Sequence, residues 1–202
     1  MDETTYRTVE FSQSDYLDGG KNPASAGGGC HAFGIAWADE ILDNKAAGAQ
    51  ARMDAMKRRA GEVRICYRAI RDRWAHEGES GADEGIAKRL GVKIDKVDDC
   101  GSFAVVANKV RDEHRTAFLY SFWFSGGGAH TIAFYRSGKK FGGHIYAFDP
   151  NYGEYKMEKS QLSAWLTGVI GTLYSGYGDI TRHRLTYLSD WVAPTVKGGV
   201  LV

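Results

Sequence analysis

The chain has few cysteines, almost no net charge and no long apolar run, and each absence argues against a class of protein. Its three cysteines are widely spaced, which fits neither a disulfide framework nor a CxxC metal site. A formal net charge of +1 provides no general attraction to nucleic acid or to an anionic membrane surface. No apolar run approaches the roughly 18 residues of a membrane span, and residues 1–5 lack the basic and apolar parts of a Sec signal peptide. We therefore expect a protein that folds in a cytosol, binds no nucleic acid, has no membrane span and keeps at least one thiol free.

Glycine, by contrast, is abundant, and it is concentrated next to two residues that can carry chemistry. The chain has 26 glycines among 202 residues, nearly twice the usual share of about 7%. One triplet, residues 27–29, directly precedes Cys30. A second triplet, residues 126–128, directly precedes Ala129 and His130. Glycines at these two places need a physical reason.

Helical periodicity dominates the first half of the chain, and runs of aromatic and β-branched residues dominate the second half. The predicted helices cover about residues 30–43, 46–76, 83–91, 102–114 and 158–175. The predicted strands cover about residues 8–11, 92–97, 117–124, 130–136, 144–148 and 181–189. This order predicts an α+β fold in which a helical side packs on an antiparallel sheet. We expect one domain over residues 1–202, with a polar, glycine-rich lead-in over 1–28 and a tail over 192–202.

Cys30 stands in the first turn of the helix predicted over residues 30–43. Unpaired backbone N–H groups and the positive end of the helix dipole stabilise an anion there, which lowers the pKa of a thiol below its free value of about 8.5. A typical cysteine is a small buried apolar residue, and we assign Cys66 and Cys100 to that class. At Cys30 the preceding glycines favour a reactive thiolate, because an inert core cysteine does not need neighbours without side chains.

A thiolate nucleophile needs a histidine within hydrogen-bond reach, itself oriented by a carboxylate or an amide. His130 is the first candidate, because it begins an aromatic strand directly after the second glycine triplet. His144 opens the next strand and is the alternative. His31 follows Cys30 on the same helix and projects about 100° away from it. The other three histidines are expected at solvated surface positions: His76, His114 and His183.

Asp149 is the candidate that would orient the imidazole. It ends a predicted strand, because the following Pro150 cannot continue it. In an antiparallel hairpin of residues 131–136 with 145–148, the start of the first strand and the end of the second lie at one edge. This geometry predicts that His130 lies beside Asp149. A plain turn role for Asp149 in its Pro-Asn-x-Gly context remains an alternative.

Three short blocks of this sequence resemble the YopT-type cysteine proteases, a papain-like family of bacterial effectors. The blocks are GCHA (residues 29–32) opening a helix, AHTIA (129–133) opening a strand, and FDPNYGEY (148–155). They occur in the family's order, and the last block is the most specific. The resemblance implies a papain-like fold with Cys30 as nucleophile, His130 as general base and acid, and Asp149 as the residue that orients the imidazole.

The oxyanion hole is the feature that transfers least well from this family. Papain-like enzymes place a Gln or Asn a few residues before the Cys, whereas Ala24 and Ser25 stand there in this chain. A donor aimed at the tetrahedral oxygen lowers the barrier by about 3 to 4 kcal/mol. We expect the backbone N–H of Cys30 to be one donor, and we assign Asn22, the nearest amide, as the other.

The glycine triplets are expected to line one substrate cleft. Glycines let an extended substrate approach the backbone closely and form hydrogen bonds with it. The alternative is a pair of mobile loops that flank the site by chance. The predicted cleft residues are Gly28, Gly29, Gly127, Gly128 and Ala129.

The expected activity is that of a cysteine endopeptidase that cleaves a specific protein of a target cell without a cofactor or a metal ion. Deamidation, transglutamination and acyl transfer use the same triad and the same thioester, and they remain alternatives. A non-catalytic protein-binding domain on the same fold is a second alternative. A metal site of His130, His144 and Asp149 is a third, although it lacks the usual spacing of ligands.

The resemblance also carries expectations about where the protein acts. It implies synthesis in a bacterial cytoplasm and delivery, without a Sec signal peptide, to the cytosol of a host or a rival cell. The expected partners are a protein substrate in that cell and a cognate chaperone, immunity or inhibitor protein.

Overall fold

The computed structural model describes residues 2, 4–17, 29–43, 48–74, 79–138 and 143–190, which form an antiparallel sheet with helices on both faces. The strands are β1 (Arg7–Glu10), β2 (Val92–Cys100), β3 (Thr116–Phe124), β4 (Ala129–Arg136), β5 (His144–Asp149), β6 (Gly153–Glu158) and β7 (Ile180–Asp190). The helices are α1 (Gly29–Asp43), α2 (Ala49–Trp74), α3 (Glu79–Arg89), α4 (Phe103–Asp112), α5 (Leu162–Trp165) and α6 (Gly171–Leu173).

The seven strands lie in the order β1-β6-β5-β4-β3-β7-β2, and every neighbouring pair is antiparallel. The central strands β3 and β4 are joined by the second glycine triplet and are buried on both faces. That burial explains why their sequences read as continuous apolar runs rather than as alternating ones, since both faces of the sheet are covered.

The two faces of the sheet carry separate hydrophobic cores. On one face, Leu119 and Ala133 pack under α1, α2 and α3. On the other face, Phe118, Tyr120 and Phe134 pack under α4 and α5. Successive residues of a strand point to opposite faces, so β3 supplies both cores in alternation. The expected helical side that carries Cys30 is therefore present, and a second helical layer covers the opposite face.

Helix α1 is the central helix of the molecule and lies directly on β3 and β4. Trp37 and Phe33 are fully buried in it. Gly34 allows the close approach to the sheet, because a side-chain carbon added there would lie 3.0 Å from Leu119 Cδ2. The packing fixes the position of the amino end of α1, where Cys30 lies.

Two parts of the fold differ from the sequence-based expectation. Strand β6 directly follows the turn after Asp149 and was not predicted. The single helix predicted over 158–175 is broken into short segments by a π-helical turn, Leu166–Ile170. The strand predicted over about residues 8–11 is confirmed as β1, which pairs with β6 at the edge of the sheet. The tail over 192–202 lies outside the described residues. In the part of the chain that the structure describes, no helix has the length and apolar character of a membrane span.

Candidate active site

Cys30, His130 and Asp149 come together where the amino end of α1 meets the sheet. Cys30 is the second residue of α1, His130 the second residue of β4, and Asp149 the last residue of β5. His130 Nε2 lies 3.0 Å from Asp149 Oδ1, and the side chains of His130 and Cys30 are hydrogen-bonded. The exposed fractions are 5% for Cys30, 5% for His130 and 0% for Asp149. The three residues predicted from sequence are therefore in contact in the folded chain.

The pairing of β4 with β5 explains how His130 meets Asp149. Ala133 lies opposite Phe148 in antiparallel register, so β5 ends beside the start of β4. The turn after β5 adds a further contact, because the backbone N–H of Asn151 donates to Asp149 Oδ1 over 2.9 Å. Asp149 thus shapes its own turn, as the alternative interpretation expected, and at the same time faces the imidazole.

The surroundings of Cys30 favour its thiolate. Burial by itself raises the pKa of a thiol, but the charge of His130 and a hydrogen bond from its side chain act in the opposite direction. A hydrogen bond from the backbone N–H of Thr131 and the charge of His31 add to this effect. The pKa of Cys30 consequently falls below its ordinary value, whereas burial raises the pKa values of Cys66 and Cys100. All three cysteines are free.

His130 responds in the complementary way. Burial by itself lowers the pKa of the imidazole, but the charges of Asp149 and Cys30 and the hydrogen bonds to both raise the pKa to about 10. The opposite shifts of the two partners favour a thiolate–imidazolium pair. Since Nε2 faces Asp149, Nδ1 is the ring nitrogen left for Cys30.

Tyr174 is a fourth member of the cluster that the sequence did not indicate. Its hydroxyl oxygen lies 2.8 Å from His130 Nε2 and 3.1 Å and 2.9 Å from the two Asp149 oxygens. Its ring stacks on the imidazole, with centroids 4.6 Å apart and planes at 28°. Tyr174 follows the broken helical segment and lies 25 residues from Asp149 and 44 from His130 in the chain. No short motif connects them, so sequence reasoning had no signal for this contact.

Two amides continue this network toward the amino-terminal segment. Asn151 Nδ2 donates to the Tyr174 hydroxyl over 3.0 Å, and Gln13 Nε2 donates to Asn151 Oδ1 over 2.7 Å. Gln13 is held in place because its backbone N–H donates to the carbonyl of Pro150 over 2.7 Å. Asn151 stands in the FDPNYGEY block, which is a signal that could have pointed to it, whereas Gln13 stands in none of the three blocks.

A cleft of about 710 Å³ opens above Cys30 and His130. Three of the predicted cleft residues, Gly127, Gly128 and Ala129, line it. Four aromatic side chains line it as well: Phe124, Tyr152, Tyr174 and Tyr177. The described lining residues include no Lys, Arg, Asp or Glu.

The glycines of the two triplets have different structural reasons. Gly127 and Gly128 have φ of 92° and 84°, the left-handed region that glycine enters without steric cost, and they form the tight β3–β4 turn. Gly29 does not line the cleft. It packs instead beneath the lead-in, where an added side chain would collide with Leu17 and would lie 2.9 Å from Gln13 Oε1. Gly28 lies outside the described residues.

The other histidines are not placed to serve Cys30. His144, the alternative base, lies at the opposite end of β5 from Asp149 and pairs with Glu158. His31 is buried and faces Asp83, 3.1 Å away. The prediction of a solvated surface position was wrong for His183, which is buried and hydrogen-bonds to Tyr120 through Nδ1. It is confirmed for His114, whereas His76 lies outside the described residues.

Two further predictions concern groups that would assist the chemistry. Asn22, the assigned oxyanion donor, lies outside the described residues, so that assignment stays a prediction. Among the described residues, no group of three or more His, Cys, Asp or Glu side chains could hold a metal ion. The chemistry that the cluster itself can support is nucleophilic attack by a thiolate, assisted by an imidazolium.

Comparison with known proteins agrees with this chemistry. Residues 92–189 match the model of the peptidase family Peptidase_C58, described as Yersinia/Haemophilus virulence surface antigen. That stretch includes His130 and Asp149, while Cys30 precedes it. No curated protein matches the chain significantly. Among solved structures, the chain is similar to that of the Pseudomonas avirulence protein AvrPphB, with a TM-score of 0.68 and 17% identity over 93% of this chain and 100% of that one. The structural likeness confirms the predicted papain-like fold. The family match confirms the prediction of a cysteine protease that is similar to the YopT-type enzymes.

Proposed function

We propose that the chain is a cysteine endopeptidase in which Cys30, His130 and Asp149 form the catalytic triad, and that it cleaves a specific protein of a target cell. The observation that carries this proposal is the contact of three side chains, in which the imidazole of His130 lies between Cys30 and Asp149 at the edge of a cleft. The pKa of Cys30 is lowered and that of His130 is raised, next to a carboxylate that faces the second imidazole nitrogen. Perturbed pKa values of this kind cluster at functional sites.

In this proposal the Cys30 thiolate attacks the carbonyl carbon of the scissile peptide bond. The tetrahedral oxyanion accepts hydrogen bonds from the backbone N–H of Cys30 and from the side-chain amide of Asn22. The imidazolium of His130 then gives its proton to the leaving amine, which leaves a thioester on Cys30. Neutral His130 takes a proton from water, the resulting hydroxide releases the acyl group, and the thiolate–imidazolium pair is restored.

Asp149 keeps the imidazole in the productive orientation. Its Oδ1 atom accepts a hydrogen bond from His130 Nε2. The other ring nitrogen, Nδ1, therefore faces Cys30, with its proton in the imidazolium and with its lone pair in the neutral imidazole. The carboxylate also stabilises the imidazolium that forms during the reaction. We assign the substrate to the cleft, where Gly127, Gly128 and Ala129 supply backbone groups beside the triad.

The biological setting is proposed from the comparisons. The matching family is described as a virulence surface antigen, and the structural neighbour is an avirulence protein of Pseudomonas. These descriptions support a bacterial effector that is made in the bacterial cytoplasm and is delivered into a host or rival cell. A cognate chaperone, immunity or inhibitor protein is its proposed partner before delivery.

The proposal is tested by comparing protein termini in cells that express the wild-type chain, a Cys30→Ala variant or a Cys66→Ala variant. We expect new amino termini of one or a few proteins with the wild type and with Cys66→Ala, and none with Cys30→Ala. Products modified by about one mass unit without chain cleavage would instead indicate deamidation through the same thioester. Equal patterns for the wild type and Cys30→Ala would overturn the proposal.

A further inference from the structure

The Tyr174 hydroxyl occupies a position between the two groups whose alignment the triad requires. It lies within hydrogen-bond distance of His130 Nε2 and of both Asp149 oxygens. The same residue covers one face of the imidazole with its ring. We propose that Tyr174 is a positioning residue of the triad, and that its hydroxyl bridges His130 and Asp149 so that the imidazole keeps its second nitrogen directed at Cys30. This inference rests on the proposed function.

The donors around Tyr174 fix the direction in which its own proton points. A tyrosine hydroxyl has one proton to donate and two lone pairs to accept with. Asn151 Nδ2 can only donate, so it takes one lone pair. His130 Nε2, when it carries its proton, donates toward Asp149 and toward the second lone pair. The hydroxyl proton is then available for Asp149, whose Oδ2 atom lies 2.9 Å away.

The hydrogen bonds continue with the same donor-to-acceptor direction from Gln13 through Asn151 to Tyr174. Gln13 Nε2 donates to Asn151 Oδ1, which fixes the orientation of the Asn151 amide. Gln13 Oε1 then remains buried without a partner among the described residues, which carries a free-energy cost. A chain of donors that all point toward the Asp149 carboxylate offsets that cost, since hydrogen bonds to a charged acceptor are stronger than neutral ones.

Burial keeps the hydroxyl in its donating form. Desolvation and the charge of Asp149 raise the pKa of Tyr174 well above its ordinary value, although the hydrogen bond from Asn151 acts against them. Tyr174 therefore stays protonated over the pH range in which the triad works. The Tyr174 hydroxyl restrains both oxygens of Asp149 and the Nε2 edge of the imidazole by hydrogen bonds. The Tyr174 ring restrains the face of the imidazole by stacking.

The test uses the reactivity of Cys30 toward a small alkylating reagent, iodoacetamide, measured as a function of pH. Tyr174→Phe keeps the stacked ring and removes only the hydroxyl. We expect the midpoint of the pH profile to move up by about one unit, because a less well held imidazolium stabilises the thiolate less. At a fixed pH below the midpoint this corresponds to about a tenfold slower reaction. With a cleaved protein substrate, kcat should fall while KM stays unchanged.

Tyr187→Phe is the matched control. Tyr187 also donates its hydroxyl to an aspartate, Asp98 Oδ2 at 3.1 Å, but it lies on β7 away from the cleft. We expect its alkylation profile to equal that of the wild type. If Tyr174→Phe, shown to be folded by its melting curve, has the same midpoint as the wild type, the proposal is overturned.

A second variant covers the case in which Tyr174→Phe does not fold. Asn151→Leu leaves Tyr174 in place and removes the amide that orders its hydroxyl, so a smaller shift in the same direction is expected, and an unchanged midpoint contradicts the proposal. Alkylation of Cys30 requires no protein substrate. A chain that cleaves no protein but shows the shift would therefore refute the proposed function and leave this inference intact.

Discussion

Arg52 and Glu154 form a two-pronged ion pair inside the molecule, with Nε to Oε2 at 2.8 Å and Nη2 to Oε1 at 2.5 Å. The Trp37 indole N–H donates to the same carboxylate over 2.8 Å. Glu154 is fully buried and Arg52 is 4% exposed. The contact joins α1, which carries Cys30, to α2 and β6. The end of the FDPNYGEY block therefore has a structural role next to the proposed chemical role of its Asp149.

The first prediction follows from this pair. Glu154→Gln removes the charge that balances Arg52 in the interior, so we expect a loss of about 3 to 5 kcal/mol in the free energy of unfolding. Urea unfolding measures it. The control is Glu10→Gln, which removes one partner of an exposed ion pair with Arg7 and should cause no measurable change. A stability equal to that of the wild type would contradict the view that the pair joins the three elements.

The second prediction concerns acid stability at the edge strand β2. Hydrogen bonds from Lys109 and Lys96, opposed by burial and aided by Tyr187, hold the pKa of Asp98 at about 2. A lowered pKa in the folded chain means that the stabilisation is present above the unfolded value of about 3.9 and is lost as the pH falls toward 2.

The variant for this second prediction is Asp98→Asn. It should cost about 1 kcal/mol at pH 7, because partial solvent access reduces the full linkage value. The difference from the wild type should disappear near pH 2. Melting temperatures at several pH values between 2 and 7 measure both effects, and a constant difference at every pH would contradict this account.

Much of the fold could be predicted from sequence because its helices and strands have clear periodicity. The strand that begins at His130 and the one that ends at Asp149 were placed by their apolar runs and by Pro150. The antiparallel register then brought the two residues together without any long-range information. The helix carrying Cys30 was predicted to within one residue of its observed start, Gly29.

What could not be predicted depends on contacts between distant segments. Tyr174, which contacts His130, follows a π-helical turn that interrupts the preceding helix, and periodicity does not reveal such a turn. Gln13 lies beyond the strand predicted over residues 8–11 and belongs to no motif, and it meets Asn151 across 138 residues only in the folded chain. His183 was predicted at the surface from its charged neighbours, but its side chain points to the opposite face of β7.

The third prediction concerns the pH dependence of thiol labelling. Because His130 lowers the pKa of Cys30, the thiolate persists at a pH where an ordinary thiol is protonated. We expect an epoxide reagent at pH 6 to label Cys30 at least about tenfold faster than Cys100, whose pKa burial raises. Peptide mass mapping identifies the labelled residue.

His130→Ala supplies the control for this third prediction. Burial of Cys30 remains in that variant while the stabilising charge is lost, so the midpoint of labelling should rise to or above the free-thiol value of about 8.5. Labelling of Cys100 should be the same in both proteins. Rapid labelling of Cys30 at pH 6 in His130→Ala would show that another group stabilises the thiolate.

The last prediction separates two reasons for glycine at position 128, which are the left-handed turn and the room for a substrate backbone in the cleft. Its φ of 84° disfavours any L-residue, and a β-branched side chain such as Val would lower stability as well as activity, so that variant cannot distinguish them. Asn enters the left-handed region more readily, and apart from the two chain neighbours no atom of the described residues lies within 4 Å of the position that its Cβ would take. Gly128→Asn should therefore keep most of the stability and place a side chain at the mouth of the cleft. If a substrate backbone lies there, cleavage of a protein substrate falls with a higher KM, while alkylation of Cys30 by a small reagent is unchanged. Unaltered cleavage by a folded Gly128→Asn variant would leave the turn as the sole reason for this glycine.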